Sequence, residues 1–106
     1  MIKVKFYHTS TDAPLGFMIQ GHAGFGSHGN DIVCSAVSSA AYMTANTLLE
    51  ILKLDASADV RDGMMKIIVP TNSADKAKDI LLGFELHINE LAQQYPKNVT
   101  ITTTEV

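Results

Sequence analysis

Ile2, Val4, Phe6 and His8 alternate with Lys3, Lys5 and Tyr7, a two-residue period that predicts a strand with one buried face. Thr9 to Pro14 reads as a turn, and Leu15, Phe17 and Ile19 alternate with Gly16, Met18 and Gln20 in a second strand, paired antiparallel with the first and ending at Gly21. Periodicity then stops until Asn30 or Asp31, where an N-cap opens a helix with Val33, Ala36, Val37, Ala40, Thr44, Leu48, Ile51 and Leu52 at helical spacing, expected to run to about Leu54. Its middle is lined by small residues, Ser35, Ala36, Ser38, Ser39, Ala40, Ala41 and Ala45, which permit close packing.

Asp59 to Arg61 and Met64 to Val69 flank Asp62-Gly63, the dipeptide favoured in two-residue hairpins with positive φ at both central positions. Ser73 is a candidate cap for a second helix with Ala77, Ile80, Leu81, Phe84, Ile88, Leu91 and Ala92 inward; Pro96 ends it. A threonine-rich strand follows, Val99, Ile101 and Thr103 alternating with Thr100, Thr102 and Thr104. The order ββαββαβ predicts an α+β fold, a mixed and largely antiparallel sheet with two helices, in one domain spanning residues 1–106.

Composition changes this picture little. With 46% apolar and 18% charged residues the chain is globular, with surface to spare for an oligomer interface. The net charge is −3 and the eight Lys and Arg are scattered along the sequence, which disfavours nucleic acid as a direct partner. One cysteine cannot form an internal disulfide, and the first residues lack the apolar core of a signal peptide, so the expected location is cytoplasmic. No membrane span is expected, because Ser, Asn, Thr and Glu interrupt the apolar helix.

The chemistry concentrates between residues 21 and 34. Here lie Cys34, two of the four histidines and four of the seven glycines, at 21, 24, 26 and 29. On these expected boundaries Cys34 falls in the first turn of the helix, where the free N–H groups and the positive end of the dipole favour a thiolate and could serve an oxyanion. An imidazole in reach would complete a nucleophile and general acid/base pair. His22 follows directly on a strand and is anchored by it, whereas His28 lies between Ser27 and Gly29, so His22 is the preferred base. Asp31, Cys34 and Ser38 share one helical face; Asp31 would cap the helix, orient His22, or do both. Gly21, Ala23, Gly24, Gly26 and Gly29, with Ser38, are the expected substrate contacts, in a segment whose glycines give it wide backbone freedom.

Taken singly, each of these residues has a plainer role: Cys34 as core packing, Asp31 as a cap, His22 as a hydrogen-bonded structural histidine, Ser38 as a helix contact. A metal site built from His22, His28, Asp31 and Cys34 would match no common zinc spacing, so neither a metal nor a cofactor is expected. No glycine fingerprint for a dinucleotide or phosphate is present.

Gly21-His22-Ala23, a glycine-rich spacer, and Asp31-Ile32-Val33-Cys34-Ser35-Ala36-Val37-Ser38 together resemble the motif of the bacterial ribosomal-processing cysteine protease family, Prp or YsxB-like. The similarity in element order and length extends over essentially the whole chain. It implies a cysteine endopeptidase that removes a short N-terminal extension from a large-subunit ribosomal protein, cleaving after a hydrophobic, Phe-Phe-Ala-like run. By motif position the nucleophile falls on Cys34, the base on His22 and a supporting role on Asp31, in a metal-free homodimer. Ser35 stands where the family more often has Ala, and no role carries over to His28. The competing expectation is a non-catalytic, ribosome-associated module that clamps a peptide and uses Cys34 only for packing.

Overall fold

The structure is a computed structural model that describes residues 1–21 and 28–106, with the backbone alone described from 28 to 31. Five strands, β1 (Ile2–His8), β2 (Pro14–Gln20), β3 (Ser57–Arg61), β4 (Met64–Ile68) and β5 (Val99–Glu105), form one sheet in the order β3-β4-β2-β1-β5. The β1–β2, β2–β4 and β3–β4 pairs are antiparallel and β1–β5 is parallel, so the expected mixed, largely antiparallel sheet is what forms. Two helices, α1 (His28–Asn46) and α2 (Ala74–Gln94), complete the order ββαββαβ.

The alternation along the strands is what builds the core. Val4, Phe6, Phe17, Ile19, Met65 and Ile67 point to one face of the sheet, where Val33, Val37 and Ala41 of α1 and Leu81, Phe84 and Ile88 of α2 meet them. Phe84 fastens α2 to the sheet, its ring 4.3 Å from that of Phe17 and edge-on to Phe6 at 6.2 Å. Thr44, fully buried on α1, donates its hydroxyl to the Ala40 carbonyl, so it adds no unsatisfied group to the core.

Three local expectations give way. The first helix begins at His28 rather than at Asn30 or Asp31, and Gly29 lies inside it instead of in a loop. Its far end loosens into a π-helical turn, Thr47–Ile51, after which Lys53 adopts φ 53°; Ile51 is 74% exposed rather than inward. In the Asp62-Gly63 turn only Gly63 has positive φ (78°), so this is not the doubly left-handed turn that the dipeptide suggests.

The stretch Ile32–Ile51, at mean hydropathy 1.3, is long and apolar enough to cross a bilayer by composition alone. Val33, Val37, Ala41, Ala45 and Leu48 of that stretch are committed to the core, the pattern of a core helix.

Candidate active site

The strands bring distant segments together at one end of the sheet. β2 leaves the sheet at Gly21, whose N–H donates to the Gly63 carbonyl at 3.0 Å in the β3–β4 turn. Gly21 has φ 83°, and a Cβ there would lie 2.5 Å from the Met1 carbonyl oxygen, so both the conformation and the space demand glycine. The chain therefore departs toward residue 22 in a direction set by β1 and the β3–β4 turn together. Ile2 N–H donates to the Asn98 carbonyl at 2.7 Å, tying the start of β5 to the same end.

Cys34 is a free thiol at 8% exposure, beside Val33 and Val37 in the core cluster. It is the seventh residue of α1, in the second turn and not the first. The dipole's influence is concentrated in the first turn, and the free N–H groups of a helix belong to its first four residues, so helix geometry alone activates this thiol less than the sequence suggests. Any thiolate there depends more on a cationic partner. Ser38, one turn on, is half-buried, Ser35 is exposed, and Ala36 faces the second helix.

His22, Ala23, Gly24 and Gly26 lie outside the described residues, as do the side chains of His28 and Asp31. The proximity of His22 to Cys34 and the orienting role of Asp31 therefore have no geometry here. The other two histidines do. His8 is held by Asp12 through Nδ1 at 2.7 Å and by Glu85 through Nε2 at 2.8 Å. Burial pulls the His8 imidazole down, but the hydrogen bonds and charges of Asp12 and Glu85 outweigh it and its pKa is raised; burial likewise raises Glu85, against the opposing pull of His8. His87 lines an open groove of about 580 Å³ between the helices, with Ala36, Ser39, Met43, Ile80 and Gly83. Neither set of neighbours includes Cys34.

Sequence reasoning passed over Gly63 and Met1, which anchor Gly21. The visible signal was Gly21 itself, a glycine at a strand end; the missing information was which strand would lie beside β2.

Against known proteins, the profile of the family described as cysteine protease Prp matches residues 1–100. The chain is 25% identical over 109 residues to the ribosomal processing cysteine protease Prp of Bacillus subtilis (strain 168), with 97% of each covered. Among solved structures, SMU.848 from Streptococcus mutans is similar at TM-score 0.87 and 28% identity, over 100% of this chain and 99% of that one. The essential ribosomal processing protease Prp from S. aureus, in complex with a substrate peptide, matches at TM-score 0.88 over 98% of this chain and 100% of that one; at 21% identity this is a likeness of fold.

Proposed function

Because the chain belongs to the cysteine protease Prp family and is a cysteine protease, we propose that Cys34 is its nucleophile and His22 its general acid and base. One observation carries the first assignment: the chain has a single cysteine, so a cysteine protease built from it has no other thiol to use. The second is supported by the commitments of two other histidines, His8 to two carboxylates and His87 to the inter-helix groove, and by the anchoring of Gly21 immediately before His22.

The reaction is acyl transfer. His22 takes the thiol proton, the sulfur attacks the scissile carbonyl, and the imidazolium protonates the leaving amine; His22 then draws a proton from water to hydrolyse the thioester. Asp31, in the first turn of α1, supports the imidazolium. The substrate is the N-terminal extension of a large-subunit ribosomal protein, cleaved after a hydrophobic run, as the processing activity named for the relatives suggests. The glycines at 24 and 26 give the intervening segment latitude to close over an extended peptide, with Gly21, Ala23, Gly29 and Ser38 as further contacts. The enzyme acts in the cytoplasm, without a metal, as a homodimer. Exposed Tyr42 and Met43 on α1 and Leu82 and Leu86 on α2 are the apolar surface available for pairing.

A peptide spanning the extension junction tests the assignment. The wild-type protein cleaves it, and Cys34→Ala and His22→Ala lose at least about a thousandfold in kcat/KM; cleavage undiminished in either rejects that residue's role. The second reading, a non-catalytic peptide-binding module, is favoured only by the burial of Cys34 at 8% exposure. It expects peptide binding without cleavage.

A further inference from the structure

The sequence scatters its basic residues, but the sheet register does not. Side chains paired across neighbouring strands share a face. The row nearest Gly21 runs Arg61, Met64, Gln20, Lys3, Thr100 from β3 to β5, and the next runs Asp59, Lys66, Met18, Lys5, Thr102. These residues project from the side of the sheet opposite the core, and no described helix covers them. Four of the eight basic residues thus stand on one open face, and of the described strand residues in these two rows Asp59 alone is acidic. That carboxylate is already spent on Arg61, at 3.0 Å. A chain of net charge −3 thus carries half of its basic residues on this one face.

The cations are arranged around hydrogen-bonding groups. Lys3, Lys5, Gln20, Thr100 and Thr102 surround a shallow depression of about 190 Å³ floored by Met18. Lys66 is held over the Tyr7 ring, its Nζ 5.4 Å from the centroid, which fixes a charge at the middle of the face. Lys3 and Lys5 lie about 7 Å apart along β1, and Lys66 about 10 Å from Lys5 across two strand spacings. Tyr7, at 6% exposure, offers no ring for a base to stack on.

We infer that this open sheet face binds the sugar–phosphate backbone of nucleic acid, with Lys3, Lys5, Lys66 and Arg61 meeting phosphates and Thr100, Thr102 and Gln20 hydrogen-bonding to phosphate or sugar. Charge complementarity chooses the occupant: Lys3, Lys5 and Lys66, which make no ion pair among the described residues and stand among neutral donors, suit a phosphate polymer. Lacking an aromatic platform, the face reads no sequence. It lies across the sheet from α1, so binding and peptide cleavage are separable.

Fluorescence anisotropy with a labelled single-stranded RNA of about 12 nucleotides, titrated from low to moderate salt, tests this. Saturable binding is expected, weakening with a log–log salt slope of about 2 to 3 for three or four phosphates. Lys3→Gln/Lys5→Gln should bind about tenfold more weakly at low salt, with the slope reduced by about 1 to 1.5 and cleavage of the junction peptide unchanged. Lys3→Arg/Lys5→Arg should bind as the wild type does, which separates charge from fold; Lys3→Gln alone, at an exposed position, tests the same point should the double variant misfold. A DNA strand of equal length binding comparably supports backbone recognition. Wild-type affinity in the charge-removed variants overturns the proposal. So does tighter capture of polyglutamate than of RNA, or dissociation of a dimer by the double variant, which would make the face an interface between copies.

Discussion

The two ends of the sheet are fixed by different means. At the far end, the His8 side chain is clamped between Asp12, from the β1–β2 turn, and Glu85, from α2, at 2.7 and 2.8 Å. Three elements converge on one imidazole, and its hydrogen-bonding capacity is used up. At the near end it is backbone that is fixed: Gly21 is pinned to Gly63 and pressed against Met1, and the next residue in the chain is His22. A clamped imidazole braces a fold, whereas a catalytic one must keep a nitrogen free for the thiol and the leaving amine. If His22 is the general base proposed above, an anchored backbone at Gly21 is compatible with that need.

The sharpest way to break the contrast is Gly21→Ala. The substitution meets both a forbidden φ and the Met1 carbonyl, so the chain must leave the sheet in another direction. About a hundredfold loss in kcat/KM is expected, from displacement of the following residue by about an ångström. Gly63→Ala is its milder counterpart, because a Cβ there meets nothing within 4 Å and only the φ of 78° is strained. Urea denaturation should show a loss of about 1 kcal/mol, with activity reduced only a few-fold.

At the far end the expectation concerns stability and its pH dependence, with little effect on cleavage. His8 and Glu85 both bind their protons more tightly folded than unfolded. For both groups the stabilisation is complete below the unfolded pKa, 6.5 for His8 and 4.5 for Glu85, and is lost as pH rises through the raised folded values. Stability should therefore decline as pH climbs from about 4.5 to above 6.5. His8→Asn should remove the His8 part of that decline and cost about 1 to 3 kcal/mol at neutral pH by leaving the Glu85 carboxylate, at 12% side-chain exposure, without its partner. Its kcat/KM should stay within about threefold of wild type; a larger loss would mean that the two ends are not independent. The pair with Asp12, which is 87% exposed, adds the lesser share, so Asp12→Asn should be the mildest of these changes.

Much of this architecture could be read from residues close in sequence. The period of Ile2 to His8 and of Leu15 to Gln20 marks strands, Asp62-Gly63 marks a hairpin, and the inward set from Ala77 to Leu91 marks α2 correctly. What depended on distant partners was hidden: β4 docking against β2, β5 running parallel to β1, and Glu85 reaching His8 from 77 positions away. The start of α1 was misplaced because Gly29 is a poor helix former, and the chain overrides that preference. For the proposed site, the motif singles out Cys34 and His22, and of the two only the Cys34 assignment has an argument from composition, the single cysteine. The anchoring of Gly21 was invisible, since only the pairing of β2 with β1 and β4 brings Met1 and Gly63 beside it. The basic face was hidden for the same reason, as only the register unites Lys3 with Arg61.

The central claim is that Cys34, in the second turn of α1 and largely buried, owes its reactivity to His22. The rate of iodoacetamide alkylation, followed by intact mass between about pH 5 and 9, tests it on wild type, His22→Ala and His8→Asn. Alkylation of wild type and His8→Asn should be rapid at neutral pH, and His22→Ala at least about tenfold slower there. Superimposable profiles for wild type and His22→Ala would contradict the account.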